Sequence, residues 1–175
     1  MAKENAIHKS LCKETDGVTA VEFSLVAFPF FLIVFGIIEI GFFYGASTLL
    51  ESGTLDSTRI IRTGQISQEG DPAAAFEAEL CNRVNILINC AELQHEVVAI
   101  PDQDFFRAND FPAQFDADGA FLPRGFDEGG PSDVILIRSF YRYPFLVPLI
   151  GDLISPDGEA VLLSTAVIRN EPYEE

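Results

Sequence analysis

Few residues of this chain could do chemistry: three cysteines, two histidines, two clusters of aspartates, and two glutamates set inside an apolar run. His95 stands alone in a strand-like stretch with no serine or cysteine at a spacing that would make it a nucleophile's base. A surface or half-buried structural imidazole is the expectation. Zinc is not indicated, because only His8 and His95 are available beside Cys81 and Cys90, and the spacing fits no zinc pattern. Asp102-Gln103-Asp104 and Asp116-Ala117-Asp118-Gly119 gather carboxylates as calcium sites do. An EF-hand loop begun at Asp116 would want glycine sixth and glutamate twelfth, where Phe121 and Asp127 stand. Solvated turns account for these acids equally well. With 11 Lys and Arg against 27 acids, a net charge of -16, the chain lacks the clustered cations that nucleic acid requires. The expectation is a protein with no enzymatic centre, no cofactor, no metal and no nucleic-acid partner.

Glu22 and Glu39 are more informative. They are the only charges between Val18 and Tyr44, a run of 27 residues. As a helix at ~1.5 Å per residue this run would extend about 40 Å, more than the roughly 30 Å hydrocarbon core of a bilayer. Pro29 would break a soluble helix, but membrane helices tolerate it. Lys3, Lys9 and Lys13 all precede the run and the next cation is Arg59, so the N-terminus should be cytoplasmic. Residues 45–175 then lie outside, with eight arginines against 22 acids, a net of −14. A signal peptide would have a shorter apolar core without embedded acids. A plain single-pass anchor remains compatible with the pattern.

Gly17 sharpens the reading. Glu22 is the fifth residue after it, and a carboxylate inside a membrane helix normally implies a partner or a task. Cutting after Gly17 would create a cationic amine at Val18, about one helical turn from Glu22. In a packed array of such helices Glu22 could pair with a neighbour's amine, which neutralises two charges and fixes the axial register. Alternatively Glu22 snorkels to the cytoplasmic headgroups. Glu39 lies roughly 25 Å further along the helix and about 100° around it, so the two acids form no single site. It is expected to reach the outer interface, with contact to a partner helix as the alternative.

The stretch Gly17-Val18-Thr19-Ala20-Val21-Glu22-Phe23, then Phe35-Gly36-Ile37-Ile38-Glu39-Ile40-Gly41 and a continuing polar helix, resembles the TadE-like proteins. These are minor pseudopilins of the bacterial tight-adherence (Tad, or Flp) pilus system. Thr165 to Tyr173 is similar to the ending of such proteins from Gram-negative bacteria, as is Tyr141-Arg142-Tyr143-Pro144 followed by Pro148-Leu149-Ile150-Gly151. The resemblance implies that a prepilin peptidase cuts between Gly17 and Val18 and that Glu22 sets register during assembly. It implies an inner-membrane protein whose partners are other minor pseudopilins, the assembly platform and the lipid bilayer. Phe23 stands where the major pilins of the system usually carry tyrosine, which, with the chain length, favours a minor pseudopilin. An uncut single-pass scaffold of the secretion machinery is the alternative, and a membrane-tethered binding or enzymatic domain is a third.

These residues need elements to hold them. One helix is expected from Val18 to Thr63 with Gly64 as its C-cap, and the small residues Gly36, Gly41, Gly45, Ala46 and Ser47 would let another helix approach. Asp71-Pro72 should start an amphipathic helix over 72–88, since Ala73, Phe76, Leu80, Val84 and Leu87 recur at helical spacing. Leu93–Ile100, Asp133–Tyr143 and Ala160–Arg169 read as strands. In the second, Val134, Leu136, Arg138, Phe140 and Arg142 share one face, and Ile135, Ile137, Tyr141 and Tyr143 the other. Residues 101–132, rich in Asp, Gly and Pro, read as a long surface excursion. Cys81 and Cys90 are an even pair outside, with Cys12 alone inside, as an oxidising periplasm would produce; two free buried thiols are the alternative. Unbroken helix would hold the pair about 13 Å apart, so a bridge requires the helix to end near Asn89 and fold back. The expected architecture is α+β: a leader (1–17), a transmembrane helix (18–44), a helical stalk (45–64) and a periplasmic head (65–175) with one helix and a short antiparallel sheet.

Overall fold

The structure, a computed structural model, describes residues 15–101, 104–117, 119–155 and 158–172, with side chains from Val18 onward. The leader's Cys12 and its three lysines lie outside the described residues. The chain divides into two compact units, residues 1–40 and 41–175, with the boundary inside a helix.

That helix, α1, runs unbroken from Thr15 to Arg62 and passes through Pro29. It ends as glycine dictates: Gly64 takes a φ of 70°, and the Thr63 and Gly64 amides bond back to the Arg59 and Ile61 carbonyls at 3.0 Å each. Arg59 and Arg62 sit in its last turn, where cations complement the helix dipole.

The second unit is built on the C-terminal part of α1. Residues 45–64, expected as a stalk, belong to this unit, and Ala46, Leu50 and Ile61 are buried in its core. The hydroxyls of Thr54 and Ser57 are buried too, each donating to the carbonyl four residues back at 2.7 Å. Helix α2, Pro72–Val84, starts where Asp71 caps the Ala74 amide at 3.1 Å. It buries Phe76, Leu80 and Val84 at a helical period. It ends one turn earlier than the apolar spacing predicts, because Leu87 and Ile88 reach the same core from a turn instead of from helix.

Strands β1 (Gln94–Ile100), β2 (Val134–Pro144) and β3 (Glu159–Arg169) form an antiparallel sheet in the order β1-β2-β3. A seven-residue helix, α3 (Pro148–Ile154), lies in the connection between the last two. Ile135, Ile137, Tyr141 and Tyr143 of β2 pack with the residues of α1 and α2 in the main core. The other face carries Leu136, Arg138 and Phe140, as the alternation predicts.

Residues 101–132 do more than loop over the surface. Val97 forms a bridge to Phe126 that extends the β1 edge, and Phe126 packs on the main core. Phe121 is buried and stacks on Phe140 with ring centroids 5.2 Å apart. The excursion therefore covers the sheet face that the helices leave open.

Cys81 and Cys90 form a disulfide with their Cα atoms 5.7 Å apart, made possible because α2 stops at Val84 and the chain folds back. Closing this loop contributes roughly 2.5–3 kcal/mol in the chain-entropy treatment. Reduction of the oxidised protein should lower its denaturant midpoint, and an unchanged midpoint would contradict the bridge. Gly53 marks the closest helix approach, since a Cβ there would lie 2.5 Å from the buried Val84 Cγ1. Gly53→Ala should destabilise the protein by about 1–3 kcal/mol through overpacking, against alanine's helix preference of about 1 kcal/mol. Equilibrium unfolding gives the sign.

Candidate functional site

The N-terminal part of α1 holds the residues expected to matter most. Gly17 lies in its first turn, and Val18, Glu22 and Phe23 follow, all three exposed. Among the described residues Glu22 makes no hydrogen bond or ion pair. From Val18 to Ile40 the large apolar side chains are exposed around the helix, apart from the half-buried Val34. A soluble helix buries one stripe; a helix apolar on all sides belongs in lipid or among other helices. This helix is long and apolar enough to cross a membrane. Even the Ser24 hydroxyl is satisfied within it, donating to the Val21 carbonyl at 2.9 Å.

The other packing candidates separate. Glu39, expected at the outer interface or against a partner helix, is buried at 2 % exposure. Gly41 has open space where a Cβ would sit, whereas a Cβ on Gly45 would meet Leu87 Cδ1 at 3.3 Å, inside the second unit. Gly36 is half-buried.

Residues 17–59 match the family model of the TadE-like proteins. Over this stretch the chain is similar to the TadE-like proteins. The match starts at Gly17 and stays within α1, and it associates the protein with the Tad pilus system. No curated protein and no solved structure matches the chain. The TadE-like match does not extend to Tyr141–Pro144 or to Thr165–Tyr173. In the structure Tyr141 and Tyr143 are core residues, and Asn170 ties the chain end to the excursion by donating to the Glu128 and Gly130 carbonyls at 2.9 and 3.0 Å.

The head carries a polar centre that pairwise spacing along the sequence could not reveal. Glu96 on β1 is fully buried opposite Arg138 on β2, and Arg138 Nη1 donates to its Oε1 at 2.6 Å. Arg124 from the excursion adds Nη1 at 3.1 Å and its backbone amide at 3.0 Å. Both arginines also donate to excursion carbonyls, Arg138 to Phe111 and Arg124 to Pro112. One carboxylate thus joins two strands to residues 111–124. Removing it would strand two partly or wholly buried guanidiniums, so Glu96→Ala should cost about 3–5 kcal/mol. Denaturant unfolding monitored by tyrosine fluorescence is the check.

The acid clusters act as turn caps where they are described: Asp104 accepts from the Phe106 amide at 2.9 Å and Asp116 from the Ala120 amide at 2.7 Å. Asp102, Gln103 and Asp118 lie outside the described residues. No cluster of metal-ligating side chains occurs among the described residues.

His95 is half-buried between Phe76 and Phe126, with ring centroids at 5.3 and 6.0 Å. Burial lowers its pKa from the ordinary value, against a smaller raising effect of Glu77. The unfolded chain therefore binds a proton that the folded one resists, and this residue removes stability as the pH falls below about 6.5. His95→Phe should flatten the acid limb of a stability–pH profile below about pH 6.5. An unchanged slope would contradict the assignment.

Proposed function

We propose that this protein is a minor pseudopilin of the Tad pilus system, cut between Gly17 and Val18 by a prepilin peptidase, and that it works in pilus assembly or its initiation. The observation that carries the reading is the placement of Glu22: an exposed carboxylate five residues after the glycine that opens the TadE-like match, on a helix apolar on every side. A carboxylate in that setting is costly unless it is neutralised. The amine released at Val18 of a neighbouring subunit is a partner of the right charge at the right depth.

On this reading the role is structural, not enzymatic. The N-terminus is cytoplasmic and the head periplasmic, where the Cys81–Cys90 bridge would be kept oxidised. Lateral packing of the apolar helices in the inner membrane brings subunits together, and the Glu22 pair selects one axial register among the many that apolar contacts alone would permit. The heads then determine which other minor pseudopilins and platform proteins dock.

Glu22→Ala should leave the protein inserted in the membrane and its head folded while impairing piliation. Glu22→Gln should be impaired as well, because the amide keeps the shape but not the charge. Normal piliation in either variant, scored by electron microscopy beside membrane fractionation, would sink the pairing mechanism.

A further inference from the structure

The second unit is strongly acidic, yet part of its surface is apolar. Residues 144–155 contain a single charge, Asp152. Within them Leu146 is 71 % exposed and Leu153 79 % exposed, and Leu149 and Ile154 are exposed as well. Leu149 and Leu153 are one helical turn apart on α3 and so project from one side. Four large apolar side chains left in water on a unit of net charge −14 call for a covering partner.

The place of this segment in its unit identifies the partner. Phe43, at the end of the apolar run, packs against Tyr143 and Phe145 with ring centroids 5.6 and 5.8 Å apart. The segment that follows Phe145 therefore starts level with the last turn of that run. The run of about 40 Å exceeds a hydrocarbon core of roughly 30 Å, so its last turns lie in the headgroup zone, where aromatic residues concentrate. Phe42, Phe43, Tyr44, Tyr143 and Phe145 all occur at this level.

We propose that α3 and Leu146 seat in the outer-leaflet interface of the same bilayer, so that the head holds the membrane at a second, shallow point. The proposal rests on the reading of Val18–Tyr44 as the membrane span. The occupant is lipid: the segment starts beside Phe43, in the last turn of the apolar run, and it has a single charge, Asp152, to desolvate. Apolar burial in the interface needs no cation, which suits a segment that has none. A shallow contact would limit the tilt of the head while the subunit waits in the membrane, and it would be broken when the subunit leaves.

The test uses the full chain with Cys12→Ser, reconstituted in phosphatidylcholine vesicles. An environment-sensitive fluorophore is placed by Leu153→Cys, by Ile33→Cys in the span, or by Phe106→Cys. Phe106 is 84 % exposed in the turn Phe105–Asp110. That turn lies by the Ile100 end of the sheet, about 30 Å along β2 from Pro144. The proposal predicts blue-shifted emission at Leu153 and Ile33, several-fold stronger quenching by brominated lipid at both than at Phe106, and the shallower quencher acting best on Leu153. A water-like, unquenched Leu153 probe beside a quenched Ile33 probe overturns the proposal and leaves the span standing. An unquenched Ile33 probe removes the span and this proposal together. A blue-shifted Leu153 probe that brominated lipid does not quench places the face against protein, a second copy included, and also overturns it.

Discussion

A single helix has to satisfy two solvents, and the rest of the structure follows from how it does so. From Val18 to Ile40 it exposes large apolar side chains around its circumference; from Ala46 onward it buries one stripe, Thr54 and Ser57 included, and turns Glu51, Asp56, Arg59 and Arg62 toward water. No loop separates the two regimes. The helix that would anchor the protein in lipid thus continues, without a break, into the helix on which the second unit folds. A fibre assembled by helix packing can use such a part directly.

The head is organised by opposite solutions on the two faces of its sheet. Toward the helices the contact is apolar, with Ile135, Ile137 and Tyr141 against Leu50, Phe76 and Leu80. Toward the excursion it centres on a buried ion network, where Glu96 meets Arg138 and Arg124. A network of this kind adds little net stability over apolar packing, but it penalises every arrangement that leaves one member unpaired. It therefore fixes where a segment rich in Gly, Pro and Asp must lie, which apolar contacts alone would leave loose.

Much of this was legible in the sequence because it is local. The switch from all-round apolarity to a stripe, the Asp71-Pro72 start, the Gly64 stop and the two-residue alternation of β2 each announce themselves within a few residues. The two cysteines could be paired in advance because helix geometry states the condition for pairing. The end of α2 was not legible: Leu87 and Ile88 keep the apolar period after the helix has stopped, since a turn can deliver side chains to the same core. Nor was the Glu96 network, whose partners are 28 and 42 residues away and whose members each look like ordinary surface charges. Nothing in its local sequence marks Gly53, whose importance lies in the Val84 side chain opposite. In the same way residues 101–132 read as a surface excursion because Gly, Pro and Asp dominate them, and Phe121 and Phe126 found their places only through non-local contacts.

The pairing mechanism requires that Val18 become a free N-terminus whose amine is available to Glu22. The most direct test is the intact mass of the protein purified from its native membrane without reducing agent. The expected mass is that of a chain lacking residues 1–17 and lighter still by the two hydrogens lost on joining Cys81 to Cys90. A mass equal to the full 19.2 kDa chain would contradict it, because the amine that Glu22 needs would not exist.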